Sequence, residues 1–292
     1  MKRVSDRIVT GAAWLSGGGL MLAAAVVIGF LILRGYKNLD LALLFGDTPW
    51  QAAIMGERPV FGGIWPAFMG TFYLVFLSSA MAIPIGIASG IYLAEYASRR
   101  LRSLLGFFVD LLAGTPSIVM GLFGFTAILF LRKTLLPEAQ TCLFLAAACI
   151  ALLVLPYVIR ITETSIEAIP EPLRLLGYSV GFTRWRNLRS VLLPLASRGM
   201  LSGAILAVGR ASEDTAVILL TGVVAHAGIP GSMFDKFEAL PFRIYYLAAE
   251  YRNLGELDQG FATSLVLLCI SGTLFLIAVC LQKSAEMRWK RR

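Results

Sequence analysis

The sequence predicts an all-α integral membrane protein of six transmembrane helices. Two observations carry that expectation. Hydrophobic residues make up 58% of the 292-residue chain against 15% charged, with a mean hydropathy of +0.76, well outside the composition of a soluble globular domain. The apolar residues also gather into six runs, near residues 11–33, 65–93, 105–131, 141–160, 198–225 and 261–282. Each meets the roughly 20 residues needed to cross about 30 Å of hydrocarbon, and lipid offers the backbone no partner, so each should be a helix.

The first run follows a basic start, "MKRVSDRIVTGAAWLSGGGLMLAAAVVIGFLIL", which raises the alternative of a signal peptide cut near Ala25. The apolar stretch continues to Leu33, a length that spans the membrane and is not trimmed. The second, third and fourth runs contain Pro84, Pro116 and Pro156, each of which removes a backbone hydrogen bond that neighbouring helices must help to replace. Such helices belong in a packed bundle. The third run also reads "GTPSIVMGLFG", with Gly114, Ser117, Gly121 and Gly124 three or four residues apart. A small-residue face of that kind lets helices approach closely, and tight packing is the weightier reading over contact with a substrate. The fifth run holds Arg210, Glu213 and Asp214, and the sixth leads to a basic tail over residues 286–292.

Lysine and arginine in the connecting segments set the orientation. The N-terminus, the second-to-third and fourth-to-fifth connections and the C-terminus together carry 17, the other side 8, so both termini are expected in the cytoplasm. These cations are dispersed between apolar runs, so the excess over acids speaks for membrane topology and not for nucleic-acid binding. Two outer connections are long, about 34–64 and 226–260. The second includes "ALPFRIYYLAAEY", whose paired tyrosines suit a segment lying at the membrane interface, with a cap over the outer mouth as the lesser alternative.

The sequence is poor in reactive motifs. It has no P-loop, no H-E-x-x-H and no G-x-S-x-G. The single His226 lies in a loop, and Cys142, Cys149, Cys269 and Cys280 form neither a CxxC pair nor a zinc set with it, reading as small core or lipid-facing residues. No cofactor and no metal are expected, and any energy for transport must come from another subunit or an ion gradient.

The charges in the fifth run need compensation, since each costs about 2.5–3.5 kcal/mol at a helix centre. Arg210 stands three residues before Glu213 and four before Asp214, so one continuous helix would put all three on one face, where they could neutralise one another. Asp110 in the third run is a further candidate partner for Arg210. The alternative to a locking ion cluster is a polar path, along which a guanidinium meets an oxyanion in bidentate fashion.

The cytoplasmic connection between the fourth and fifth runs reads "ITETSIEAIPEPLRLLGYSVGFTRWRNLRSVLLPLASRGM". Helical apolar spacing from Leu173 to Val180 is broken by Gly181, and a basic stretch leads back to the membrane: a helix, a turn and a second helix. Leu173, Leu175 and Leu176 exposed together call for a protein partner. This segment resembles the coupling loop of ABC-importer permeases, E-A-A-x-x-x-G-x(9)-I-x-L-P. Gly181 matches the motif glycine, Val191, Leu193 and Pro194 its far end, and "TRW" at Thr183, Arg184 and Trp185 its common form. Leu175, Leu176 and Gly177 occupy the E-A-A positions, with Glu171 one turn earlier as the stand-in for the missing acid.

The wider chain is similar to the PstA-type permeases of bacterial phosphate importers over about residues 60–285, through "GGIWPAFMGTFYLVFLSSAMAIPIGIASGIYLAEYA", "LAGTPSIVMGLFG", "GRASEDTAVILLTG" and "ALPFRIYYLA". The resemblance implies a MetI-like type I importer fold, divided as an N-terminal helix and loop (1–60), an ABC transmembrane type-1 domain (61–285, coupling loop 163–197) and the tail (286–292). It also implies a second, PstC-type permease, two PstB-type ATPase subunits and a periplasmic PstS-type phosphate-binding protein. The family pattern R-A-x-G-E-T-A-P implies a place in the phosphate path for Arg210, Asp214 and Thr215. Here Glu213 replaces the glycine and Val217 the proline. Ser117 and Asp110 complete the candidate path. A stand-alone secondary transporter, an importer of another oxyanion or small solute, and a membrane scaffold for a phosphate-sensing kinase are the alternatives.

Overall fold

The computed structural model describes residues 2–55, 60 and 62–290. Its helices in chain order are α1 (Lys2–Gly35), α2 (Leu41–Phe45), α3 (Trp50–Ile54), α4 (Trp65–Ile91), α5 (Arg99–Ala113), α6 (Ser117–Thr134), α7 (Leu143–Glu167), α8 (Glu171–Ser179), α9 (Arg184–Asn187), α10 (Leu193–Glu213), α11 (Ala216–Thr221), α12 (Leu240–Glu250) and α13 (Leu254–Lys290). Six helical stretches are long and apolar enough to cross a membrane: Val9–Asn38, Trp65–Tyr96, Ser117–Thr134, Leu143–Glu167, Arg184–Glu213 and Leu254–Ile277. The expected all-α, six-span class is the observed one. The expected basic tail ends in residues 291 and 292, outside the described residues.

α7 is the axis of the bundle. Ala146, Ile150, Val154 and Val158, four residues apart, are fully buried and form one stripe of the main core. Glycines set how closely the neighbours approach it. On α4, a side chain at Gly86 would strike Val158, and one at Gly90 would strike Thr162, each at 2.6 Å. On α10, Gly199 lies against Ser165 and Gly203 against Ile161. The small-residue face of the third span acts the same way, Gly121 against Ala216 and Val217 and Gly124 against Cys149 and Thr221. α1 stands apart from this core, meeting α13 through Phe30 and Phe261, whose ring centroids are 5.5 Å apart.

Two spans are interrupted where the sequence suggests continuous helices. The third run divides into α5 and α6 around Gly114–Pro116, so Pro116 caps the start of α6 with extended backbone and does not lie inside a helix. A proline has no N–H to give the preceding turn, and it pushes the residue before it out of helical geometry. Pro84 and Pro156 do lie within α4 and α7. The fifth run begins as early as Arg184 and divides at Asp214, whose backbone is extended (ψ 112°) between α10 and α11.

The segment "ALPFRIYYLAAEY" forms α12, with Leu240, Pro241, Arg243 and Leu247 buried against the bundle and Tyr245 and Glu250 exposed. Its entry is pinned to α4, where the Leu240 amide donates to Thr71 Oγ1 at 2.8 Å. Arg243, counted above as an outer topological cation, is buried in an ion pair with buried Glu238, its Nη1 2.9 Å from Oε1. His226 sits in the preceding turn with φ 58°. Cys142 and Cys149 are buried and Cys269 and Cys280 exposed, in keeping with core and lipid-facing roles.

Candidate functional site: the α10 face and the α7–α10 connection

The register between α10 and α7 fixes the depth of Arg210. With Gly199 against Ser165 and Gly203 against Ile161, each step forward on α10 is a step back along α7. Arg210 therefore stands level with Val154, close to the midpoint of α7. Leu195, Ser202, Leu206, Arg210 and Glu213 are exposed and fall on one stripe of α10, while Ala196, Gly203, Ala207 and Ala211 form a buried stripe about 100° round the helix. The guanidinium and the Glu213 carboxylate thus leave the chain's own core at mid-depth.

The expected ion cluster is absent. Among the described residues, no ion pair includes Arg210, Glu213 or Asp214. Asp214 has left the helix, which takes it off the face shared by the other two. Only 8% exposed, its Oδ1 accepts from the Val217 amide at 2.9 Å and so caps α11. Thr215, half-buried, begins the same turn. Ser117 is the half-buried first residue of α6. Gly121 packs on Ala216 and Val217, so Ser117, one turn earlier on α6, lies level with the end of α10 at Glu213. The two breaks in the bundle therefore occur at one depth, a feature associated with solute paths in transport proteins.

Asp110 is not a partner of Arg210. It belongs to an ion network built on α5 and α7, in the half of the bundle that carries the α7–α10 connection. Arg160 donates from Nε to Asp110 Oδ1 at 2.9 Å, from Nη1 to Glu163 Oε2 at 2.7 Å and from Nη2 to the Gly106 carbonyl at 2.8 Å. Arg102 adds a 3.0 Å bond to Glu163 Oε1 and a contact with the Glu167 carboxylate. Glu163, 2% exposed, is thereby held by two guanidinium groups. Arg160, at the end of the fourth apolar run, is one of the cations counted above with the fourth-to-fifth connection, and that count hides the network. Arg160, Glu163 and Glu167, spaced by three and four, are the signal for one charged face at the end of a helix.

The connection between the fourth and fifth spans folds as the expected helix, turn and helix. α7 extends through Glu167 and the fifth helical stretch begins at Arg184, so residues 163–167 and 184–197 of the expected loop belong to the long helical stretches. Gly181 turns the chain with φ 78°, and the Thr183 hydroxyl caps α9 by accepting from the Arg186 amide. Leu173, Leu175, Leu176 and Trp185 are exposed, Trp185 at 62%, beside exposed Glu171 and Arg184. Half-buried Pro194 sits in the first turn of α10. Gly177 is buried because a side chain there would strike the Asn187 carboxamide, and Asn187 in turn donates to the Arg174 carbonyl at 2.9 Å. Arg174 pairs with Glu95 at the end of the second span, while Leu188 and Leu192 pack with Ile166 and Ile169. The exposed apolar patch is therefore mounted on a unit joined to three membrane helices, α4, α7 and α10.

The comparisons agree with this architecture. The family described as "Binding-protein-dependent transport system inner membrane component" matches residues 82–291. The phosphate transport system permease protein PstA 1 of Mycobacterium tuberculosis (strain CDC 1551 / Oshkosh) is 30% identical over 241 residues, covering 82% of this chain and 77% of its own length. The probable ABC transporter permease protein YqgI of Bacillus subtilis is 26% identical over 99% of this chain and 95% of its own. Among solved structures, a bacterial ABC transporter involved in import of the acidic polysaccharide alginate shares the fold with a TM-score of 0.60 at 16% identity, over 93% of this chain and 96% of that one. With six spans, α7 at the centre of the bundle, a helix–turn–helix between the fourth and fifth spans and a family match across most of its length, the chain belongs to the inner-membrane permease components of binding-protein-dependent transport systems.

Proposed function

We propose that this chain is one of two permeases in an ATP-driven importer of inorganic phosphate, paired with a PstC-type permease, two PstB-type ATPase subunits and a periplasmic PstS-type binding protein. Both termini lie in the cytoplasm, and the 61–285 domain carries the path. The observation that carries this reading is the placement of Arg210. A charge facing lipid at mid-depth costs about 2.5–3.5 kcal/mol, and this one has no ion-pair partner among the described residues of its own chain. An aqueous path shared with the second permease relieves that cost and gives the guanidinium an oxyanion to bind. The phosphate permease names of the relatives supply the cargo.

ATP-driven closure of the ATPase pair moves the exposed Leu173–Leu175–Leu176–Trp185 surface. The Arg174–Glu95 pair passes that motion to the second span, and the Leu188–Leu192 core passes it to α7 and α10. The helices rock between inward- and outward-facing arrangements, while Arg210 lowers the barrier to the anion without making or breaking a bond. The complete complex should accumulate radiolabelled phosphate when supplied with ATP, and Arg210→Gln should abolish this in an assembled complex. Undiminished uptake in that variant contradicts the proposal.

A further inference from the structure

Glu213 is the residue that the path described so far does not use. It is exposed on the same stripe as Arg210, three residues on, at the depth where α10 ends and α6 begins. Among the described residues it makes no ion pair, and the neighbouring Asp214 carboxylate is already committed to the Val217 amide. A bare carboxylate beside an anion path repels every anion unless the anion brings a proton for it to accept.

Resting on the reading that α10 borders the path, we infer that Glu213 is a specificity-determining residue, passing oxyanions that keep a hydroxyl and opposing fully ionised ones. Arg210 offers N–H donors to the bare oxygens, and Glu213 accepts a hydrogen bond from the remaining hydroxyl. At neutral pH, hydrogen phosphate and hydrogen arsenate satisfy both groups. Sulfate has no proton and meets Glu213 as a like charge. The i, i+3 spacing puts donor and acceptor on one side of the anion, as side-by-side recognition of a small tetrahedral species requires. A glycine at this position would leave the guanidinium alone, with attraction for either class.

The test reads anion occupancy on α10 directly, apart from the choice made by the binding protein. In the purified nucleotide-free complex, with exposed Cys269 and Cys280 replaced by serine, Leu206→Cys places a thiol on the same stripe, where Leu206 is 50% exposed. Phosphate should slow labelling of that thiol at concentrations roughly tenfold below those at which sulfate does, the worth of one hydrogen bond to a charged group. Glu213→Gln should bring the two anions together, and Glu213→Asp should keep them apart, which also controls for folding. Equal protection with Glu213 in place overturns the inference, as does unchanged discrimination in the glutamine variant. Protection by neither anion also overturns it, whereas ATP-driven phosphate uptake by the unmodified complex decides the proposed function separately.

Discussion

Arg160→Met removes the centre of the α5–α7 ion network, and its cost follows from the contacts. The substitution deletes the bonds to Asp110, Glu163 and the Gly106 carbonyl, between 2.7 and 2.9 Å. Breaking a buried ion pair from one side costs about 3–5 kcal/mol, because the surviving charge is left uncompensated. Glu163 is such a charge, but it keeps Arg102 at 3.0 Å, which reduces the loss. Asp110, with a side chain 66% exposed, is resolvated and adds no more than about 1 kcal/mol. The net expectation is about 2–3 kcal/mol, or about 4–6 °C in the unfolding midpoint of a chain this size. The assay is thermal unfolding of the detergent-solubilised complex. Adding Glu163→Gln to Arg160→Met should recover part of the loss, since the stranded charge is then gone. A midpoint unchanged within about 1 °C, or a double variant that loses the full sum of both singles, refutes the idea that Arg160 neutralises Glu163.

Replacing Gly181 and Trp185 together by alanine should lower stimulation of the ATPase by the loaded binding protein while leaving assembly intact, because one sets the turn (φ 78°) and the other is the largest exposed apolar group of the loop. Unchanged stimulation argues against this loop as the coupling element. Asp214→Ala removes the cap of α11 and should destabilise the protein by about 1 kcal/mol, while Asp214→Asn, whose carboxamide oxygen still accepts the Val217 amide, should keep most of that stability. Thermal unfolding of the two variants checks this, and equal losses would mean that the carboxylate serves by charge and not by accepting the Val217 amide.

The six spans were legible because apolar composition alone decides them, and the loop was legible because turn chemistry is local: a glycine with positive φ at 181 and a threonine cap at 183 act within a few residues. The breaks were less so. Pro116 inside an apolar run reads equally as a kink or as the start of a helix, and hydropathy does not register that Asp214 leaves the helix to cap the next one. Asp110 and Arg210 looked like partners because each is a charge in an apolar run. The register of α5 on α7 sends Asp110 to Arg160 instead, and such register is set by contacts far apart in sequence. Sequence spacing also placed Arg210 and Glu213 on one face, yet only packing decides that this face points away from the chain's own core. Gly177, a departure from the family motif, has its cause in Asn187, ten residues on.

The central claim is that Arg210 faces an anion path at mid-depth, and the most direct measurement is ATP-driven uptake of radiolabelled phosphate by complexes carrying Arg210→Gln or Arg210→Lys, with subunit assembly checked in the same preparations. The account predicts intact assembly in both, no uptake with glutamine, and partial uptake with lysine, which keeps the charge but loses the bidentate fork. Normal uptake with glutamine, or loss of uptake explained by loss of assembly, would contradict it.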